Sequence, residues 1–503
     1  MNRAKVGVID ESKRSPAAPS GLDFLQLDPA ARPDGVGVTD WLTGELRAAI
    51  DDGRLPVGSR LPPTRELADG LGLSRGVVTE AYRRLGDEGR IRGRGRAGTL
   101  IEAAARTATG AAQPRPDAPD RAAFFDRAPA AGLVDDLREL PARIDLAPGR
   151  PDLTAFPRAA WLRAERAVLE ELPAPLLGYP DPRGTRELRA AVAGWLARFR
   201  GIVADPGELI IVAGVAQSLT LLAQLLHRDG VTRFAVEDPG SLGARGALRA
   251  WGLATPPVPI DDDGPDIAAL EASGAAAVLV TPAHQFPTGV AMAPERRHAL
   301  LDWARRTGGL IVEDDYDAEH RYDRAPVSAL RCLDPDLVCY TGSVSKTLSP
   351  ALRIGWLLPP ARMRDRLAVL KRDTDLGNAT LPQLVLARLI TSGALERQLR
   401  HLRRQQQRRR DAMIEAIERH LPHAEVHGAA AGVHLTITLP SGTDDVALAA
   451  AALERGVKVH PLSWHTQLPG RPGLVLGYAA TAGAVIDEGI GLVGEAYAEQ
   501  AVG

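Results

Sequence analysis

Two cysteines, Cys332 and Cys339, are all that a chain of 503 residues contains. That scarcity excludes a disulfide framework and points to a reducing compartment. No run of about 18 or more apolar residues is present, which excludes a helical membrane span. The opening stretch MNRAKVGVIDESKRS lacks the apolar core of a signal peptide, so the expected location is the cytoplasm. An excess of one charge is also missing. The formal net charge is −2, so any nucleic-acid site must be a local patch on an otherwise balanced chain. What is present is ordinary globular material, 45% hydrophobic and 25% charged. A chain of this length predicts about two to four domains.

The most informative stretch is Val338–Trp356, VCYTGSVSKTLSPALRIGW. It starts as an apolar, β-prone run and turns through Gly342 into Ser343, Ser345 and Lys346, with Arg353 seven residues further on. A lysine at the end of a buried strand is poorly solvated, and its pKa falls. A neutral amine there can attack an aldehyde and form a Schiff base. Hydroxyls just before it and an arginine after it suit a phosphate. Together they suggest pyridoxal 5'-phosphate (PLP); the competing reading is a surface lysine in a serine-rich loop.

Residues 1–37 are polar and rich in proline and glycine, and are expected to be a disordered lead with one short ordered piece, Leu22–Leu27. From Val38 the texture changes. Trp41, Leu42, Leu46 and Ile50 recur at helical spacing, with Thr39 or Asp40 as cap and Gly53 as stop. Thr64 opens a short helix. Ser74 caps a longer one from Arg75 to about Asp87, and Gly89–Ile101 reads as a hairpin tipped with glycine and arginine. Between Arg75 and Arg96 stand seven arginines and three acids, a net of +4. Helix, helix–turn–helix and a two-stranded wing form the layout of a winged helix–turn–helix. A solvated basic face on a small helical domain is the alternative.

The run GRLPVGSRLPPTRELADGLGLSRGVVTEAYRRLGDEGRIRGRGRAGTLI resembles the GntR-type winged helix–turn–helix over about Trp41–Ile101. The resemblance implies that Arg65, Ser74, Arg75, Gly76 and Thr79 face double-stranded operator DNA, with Arg94 and Arg96 on the wing. A DNA-binding domain is thus expected over 38–102.

Residues 103–140 are rich in Ala, Pro, Arg and Asp without sustained periodicity and are expected to be a linker. Within it Phe124-Phe125 can dock locally, and Leu133–Leu140 can form a helix. From 141 onward, β-prone runs at Leu209–Val212, Arg233–Glu237, Ala277–Thr281, Gly309–Glu313 and Leu337–Tyr340 alternate with helical patterns. That alternation predicts an α/β domain with a largely parallel sheet. A long arginine-rich helix follows from about residue 392 and opens a smaller α+β subdomain that includes a strand at Val433–Thr438.

Several motifs fall at strand ends, where α/β folds build sites. AGVAQS, 213–218, joins a strand to a helix whose exposed N–H groups suit an anion. EDPGS, 237–241, and TPAHQFPTG, 281–289, end two more strands. The stretch Leu310–Asp317, LIVEDDYD, ends a buried strand in a dense acid cluster. Like charges so close are costly unless a cation or proton is near. A pyridinium nitrogen is one such cation, and an ionised Asp beside it makes the ring an electron sink. A metal site or an exposed acidic turn are the alternatives; the cluster lacks His or Cys ligands at metal spacing, so no metal is expected.

These motifs, ending in SVSKTLSPALRIGW, resemble fold-type I PLP enzymes of the aminotransferase class I/II superfamily over about Leu146–Ala480. Joined to a GntR-type head, they resemble the MocR/GabR-type regulators. The resemblance implies that Lys346 is the Schiff-base lysine, that Asp314 meets the pyridine nitrogen and that Tyr316 meets the ring oxygen. It places the phosphate on Ser343 and Arg353, beside Ser345 and the backbone N–H groups of Val215 and Ala216, with His284 or Gln285 flanking the ring. It also implies a homodimer. Two departures stand out. Ser241 occupies the place of an aromatic that stacks on the ring. The run Gly473–Ala479 lacks the arginine that clamps a substrate carboxylate, for which Arg245 is a weak substitute. Without that clamp an amino acid is poorly oriented, and transamination is expected to be weak. The leading expectation is a regulator in which PLP, or an amine or amino acid that reacts with it, switches operator binding. The others are a working aminotransferase with an accessory head, and a scaffold that has lost the cofactor.

Overall fold

The computed structural model describes residues 29, 32–33, 35–51, 55, 59–93, 98–101, 124–125, 127–317, 319–320, 322 and 328–502. The chain divides into two compact units, Met1–Arg115 and Pro116–Gly503. The ordered piece expected at Leu22–Leu27, the helix stop at Gly53 and the wing-tip Arg94 and Arg96 lie outside the described residues.

The N-terminal unit is built from α1 (Val38–Asp51), β1 (Arg60–Leu61), α2 (Thr64–Leu71), α3 (Arg75–Asp87), β2 (Ile91–Gly93) and β3 (Thr99–Ile101). The apolar spacing of α1 places Trp41, Leu42, Leu46 and Ile50 in one core with Leu67, Val78, Leu85, Ile91 and Ile101. Gly72 takes a left-handed conformation (φ 65°) and ends α2, a turn that costs a glycine little. The Ser74 hydroxyl then accepts from the Val77 N–H at 3.4 Å and caps α3. The strands form an antiparallel sheet in the order β1-β3-β2. The two-stranded wing therefore carries a third, two-residue strand from the connector before α2.

The larger unit holds an eight-stranded mixed sheet in the order β5-β12-β11-β10-β9-β6-β7-β8. The strands are β5 (Ile210–Val212), β6 (Phe234–Asp238), β7 (Pro257–Asp261), β8 (Gly264–Pro265), β9 (Ala277–Val280), β10 (Leu310–Asp315), β11 (Val338–Ser343) and β12 (Gly355–Leu358). β6, β7, β9, β10 and β11 pair in parallel, whereas β12 runs antiparallel to both neighbours. Side chains alternate between two buried faces. Leu310 and Val312 join one core with Leu219 and Leu222, and Ile311 joins another with Leu300 and Trp303. Covering both faces explains why these strands read as continuous apolar runs.

The smaller subdomain carries an antiparallel sheet of β13 (Glu425–His427), β14 (His434–Thr438), β17 (Gly473–Gly477) and β16 (His460–Pro461). The long helix Ala394–His420 packs against the C-terminal helix Gly483–Val502 beside it. Part of its core comes from far upstream. Phe124, Phe125, Leu133 and Leu137 are buried with Trp464, Leu474 and Ile486. The Phe125 ring stacks on Trp464 at 5.6 Å. β4 (Ile144–Asp145) pairs in parallel with β15 (Val457–Lys458). The linker expected across 103–140 is thus corrected at its C-terminal end. Phe124, Phe125 and helix α4 (Ala131–Glu139) pack into the folded unit, while residues 102–123 lie outside the described residues. The docking of Phe124-Phe125 and the helix near Leu133–Leu140, both left open by the local pattern, are seen once a distant tryptophan receives the aromatics.

Phe125→Ala should therefore act as a core truncation. It is expected to lower the unfolding free energy of the larger unit by about 3 kcal/mol, read as a shifted transition in calorimetry of the full chain, with the transition of the N-terminal unit unmoved. A change within about 0.5 kcal/mol would return the segment to a surface role.

Candidate functional site

β10 sets the chemistry by alternation. Asp314 and Tyr316 turn one way into a cavity, and Glu313 and Asp315 turn the other way into the protein. Each inward acid finds a partner. Glu313 accepts from the N–H groups of Leu330 and Arg331 at 3.0 and 3.1 Å. Asp315 pairs with the buried Arg200 at 2.5 Å and accepts from the Tyr340 hydroxyl. Asp317, just past the strand, lies 3.0 Å from His284 Nδ1, which holds its carboxyl below the usual range despite burial. Asp314 lines the cavity instead, and its Oδ1, like the Oδ1 of Asp315 on the inner side, is buried with no hydrogen-bond partner. Burial, then Asp315 and Asp317, push its carboxyl up to about 8, against a smaller pull from Lys346.

Lys346 stands across the same cavity and donates to the Gly149 carbonyl. Loss of hydration lowers its pKa; Asp317 and Asp314 oppose that shift, and Arg138 adds to it. A Cβ added at Gly149 would lie 3.1 Å from the lysine nitrogen, so this residue leaves the amine room.

The cavity has two lobes that share Lys346, Asp314 and Tyr316. One, of about 720 Å³, is lined by Ser343, Ser345, Arg353, Val215 and Ala216. Val215 and Ala216 open helix α5 (Val215–Arg228) behind Gly214, whose φ of 85° aims the first N–H groups outward. A Cβ at Gly214 would come 3.4 Å from the Arg353 guanidinium. Arg353 itself takes φ 51° and donates to the Ala213 carbonyl. Helix N–H groups, hydroxyls and a guanidinium around one space make a phosphate cradle. With the amine of Lys346 for an aldehyde and the orphaned Asp314 oxygen for a ring N–H, this donor set fits PLP at three separate points.

The second lobe, about 630 Å³, is lined by Gly240, Ser241, Phe286, His434, His460 and His465 among others. Ser241 contributes no ring: its hydroxyl accepts from the Ala244 N–H at 3.2 Å and caps helix α6 (Leu242–Arg249). Tyr316 does line both lobes, but its hydroxyl lies 3.0 Å from His284 Nδ1. His284 lines neither lobe. It sits between Tyr316 and Asp317, so its expected place against the ring is corrected to one behind the tyrosine. Gln285 is likewise occupied, donating to Glu237, the Pro239 carbonyl and the Phe286 carbonyl. Arg245 does not replace the absent clamp. It is buried and donates to the carbonyls of Trp464 and Thr466, away from both lobes.

The sequence allows a helix at Leu133–Leu140 but gives it no place in the site. Asp135 and Arg138 line both lobes, although they come from the stretch read as linker. Sequence reasoning missed the three histidines of the second lobe, which are scattered over two short strands and a turn. The helical spacing of Leu133 and Leu137 was the available signal for α4; none marked the histidines.

In the N-terminal unit, Ser74, Arg75, Gly76 and Thr79 are exposed on one face of α3, opposite the buried Val78, Ala81, Tyr82 and Leu85. Arg65 stands exposed on α2, 3.9 Å from Asp69. The basic excess is partly internal. Arg83 bonds Glu80 and Asp87, and Arg84 bonds Glu80 and Asp40. Arg75 has no ion pair among the described residues.

Comparison with known proteins agrees with both halves. Residues 143–472 match the family described as "Aminotransferase class I and II", and residues 40–101 match "Bacterial regulatory proteins, gntR family". The "Probable rhizopine catabolism regulatory protein MocR" of Rhizobium meliloti is 33% identical over 464 residues, 90% of this chain and 92% of that one. The "HTH-type pyridoxine biosynthesis transcriptional regulator PdxR" of Corynebacterium glutamicum is 30% identical over 444 residues, 87% and 91% of the two chains. Among solved structures, kynurenine aminotransferase of Pyrococcus horikoshii superposes with a TM-score of 0.67 at 28% identity, over 73% of this chain and 93% of that one. A GntR-type DNA-binding head on a fold-type I aminotransferase-like domain, similar over nearly its full length to such regulators, places this chain in the MocR-type family of transcriptional regulators.

Proposed function

We propose that the chain binds PLP at Lys346 and operator DNA through α3, and that PLP, or an amine reacting with it, controls operator binding. The observation that carries the reading is the Asp314 oxygen, buried without a partner opposite the Lys346 amine in one cavity. When bound, PLP supplies an electrophilic aldehyde and an electron-withdrawing ring. The chain's own residues do the rest. Ser343, Ser345, Arg353 and the N–H groups of Val215 and Ala216 hold the phosphate. Asp314 keeps the ring nitrogen protonated, and Tyr316, steadied by His284, faces the ring oxygen. Lys346, short of hydration, holds its amine ready to lose a proton. The dimer expected from the resemblance suits two DNA half-sites.

A regulator is favoured over a working aminotransferase by Arg245. With that guanidinium engaged by two main-chain carbonyls and none in the Gly473–Ala479 run, a substrate carboxylate lacks the clamp that orients it for turnover.

The cofactor reading has a covalent test. Borohydride should fix PLP to Lys346, identified by peptide mass, and Lys346→Ala should lose both the adduct and the visible absorbance; an unchanged adduct would falsify the assignment.

A second test uses pH. In the cofactor-free chain the Asp314 carboxyl, raised to about 8, keeps a proton that the unfolded chain has lost above about 4. The folded state then binds the extra proton between those values, so its stability falls as pH rises across that window. Asp314→Asn should lessen this fall, to which Glu237 and Glu313, each raised to about 7 by burial, also contribute, and should weaken PLP binding, both read by thermal unfolding from pH 5 to 8 with and without PLP. A variant that keeps the same slope would exclude Asp314 as the group responsible.

At the DNA surface, Arg75→Ala should cost roughly 1–3 kcal/mol against operator and relax sequence preference. Affinity should fall steeply with salt, because phosphate contacts release counterions. Quantitative shift assays on operator and random duplexes check both; unchanged preference would remove Arg75 from base reading.

A further inference from the structure

The phosphate lobe is held from behind by two side chains that do not line it, Gln217 and Asn378. Ala213, just before the left-handed Gly214, is tied on both sides. Its N–H donates to Gln217 Oε1 at 2.7 Å, and its carbonyl accepts from the Arg353 guanidinium. The other end of the Gln217 amide donates to Asp375 Oδ2 at 2.6 Å. An N–H only donates and a carboxylate only accepts, so both ends of that amide are fixed. Asp375 closes helix α7 (Arg364–Asp375). It is anchored in turn by Lys371, whose fully buried amine lies 2.9 and 2.7 Å from its two oxygens, and by the Gly377 N–H at 2.9 Å. Further along the same turn, Asn378 Nδ2 donates to the Arg353 carbonyl at 3.1 Å.

One turn of chain, Asp375 to Asn378, thus reaches both walls of the cradle: the start of α5 through Gln217, and Arg353 through Asn378. The backbone shows what this bracket has to hold. Among the described residues only two that are not glycine have a positive φ, Arg353 at 51° and Leu376 at 58°. One is the arginine of the cradle, and the other sits inside the bracket. A side chain in that region costs free energy and persists only where its neighbours over-determine it. The Asn378 bond to the carbonyl of Arg353 and the Lys371–Asp375 anchor just ahead of Leu376 are such neighbours. A network that merely stiffened the fold would reach the whole cavity alike. This one reaches the phosphate donors alone, since Lys346 and Tyr316 bond elsewhere, to Gly149 and His284.

We infer that Gln217 and Asn378 are positioning residues for the phosphate, braced by the Lys371–Asp375 pair, and that they set the preference of the chain for a phosphorylated over an unphosphorylated pyridoxal. The inference rests on the PLP reading. Neither side chain touches the ligand; they fix where the N–H groups of Val215 and Ala216 and the Arg353 guanidinium point. Donors set before the ligand arrives need no reordering when it binds. Loss of the bracket therefore weakens the hold on the phosphate and leaves the aldehyde end alone.

The test uses the full chain freed of cofactor, with Gln217→Ala and Asn378→Ala made separately. PLP and pyridoxal, which lacks the phosphate, are titrated against each protein. The half-saturating concentration is read from the borohydride-fixed adduct on Lys346 by peptide mass. Each variant should need about ten-fold more PLP but the same pyridoxal within about two-fold, so that the preference for PLP falls about ten-fold. That preference is a ratio within one protein, so a partial loss of folded chain cancels from it. Both side chains are half-buried; should one variant fail to fold, the other, from the opposite wall, decides. An unchanged preference, or PLP and pyridoxal weakened equally, would overturn the inference. Should the unmodified chain form no adduct with PLP, the cofactor reading falls, and calorimetry with inorganic phosphate decides the bracket by itself. Weaker phosphate binding by the two variants would then uphold it, and equal binding or none would overturn it.

Discussion

The site depends on how one strand disposes of its negative charge. Glu313, Asp314 and Asp315 are consecutive, and Asp317 follows two residues later. Were all four ionised and unpaired, burying them would oppose folding by many kcal/mol, since the lost hydration of one buried charge already costs several. Strand alternation separates them. Glu313 takes two backbone N–H groups, Asp315 takes Arg200 and Tyr340, and Asp317 takes His284. Asp314, which lines the Lys346 cavity, is left with no side-chain partner among the described residues, and its Oδ1 and that of Asp315 stay unpaired. The Arg200–Asp315 pair is thus less a source of net stability than a condition for Asp314 to face the cavity undisturbed. Removing Arg200 would leave a second buried acid uncompensated, a loss of about 3–5 kcal/mol for a broken buried pair.

The second constraint is where the chain enters this unit. Phe124 and Phe125 anchor on Trp464, and α4 follows at once with Asp135 and Arg138 on the cavity wall. Trp464 belongs to the turn that carries His465. A ligand at Lys346 therefore meets a wall that begins where the chain enters this unit. The lysine also senses the wall directly, since Arg138 contributes to lowering its pKa.

Much of this was legible in the sequence, and for reasons that separate what was read from what was missed. The β-prone run expected at Leu209–Val212 is seen at Ile210–Val212, and that at Leu337–Tyr340 is seen at Val338–Ser343. Both are buried on two faces, so hydrophobicity alone marks them. Lys346, Asp314, Tyr316, Ser343, Ser345, Val215 and Ala216 line one cavity because each sits at or just beyond a strand's carboxyl end, a position that local pattern can locate; Arg353 joins them from just before β12, which runs antiparallel to β11 and so starts on the same side. The misses share another cause. The β4–β15 pairing joins residues more than 300 apart through two-residue strands, too short for any periodicity. His434 and His465 acquire their meaning only from the carbonyls of Pro287 and Gly240, which no sequence window contains together with them. The resemblance sets His284 or Gln285 beside the ring and leaves Arg245 as a weak substitute for the clamp. Their nearer partners, Asp317 and the Trp464 and Thr466 carbonyls, took them first.

The same competition for partners bears on enzyme versus sensor. An aminotransferase gains rate by holding substrate so that the bond to be broken is correctly aligned, and the carboxylate clamp provides much of that alignment. Here Arg245 is held by two backbone carbonyls. Recruiting Arg245 would mean breaking two of its hydrogen bonds and moving a buried guanidinium, a cost that a bound amino acid would have to repay before any catalysis. A ligand that only has to bias one arrangement over another faces no such requirement. It needs differential affinity for the two states, and about 1–3 kcal/mol is the usual range for such coupling. One or two hydrogen bonds, at about 0.5–1.5 kcal/mol each, are of that size. They are far short of the roughly 8 kcal/mol or more that separates catalysed from uncatalysed chemistry. On the proposed reading, the cavity is scaled for a switch rather than for turnover.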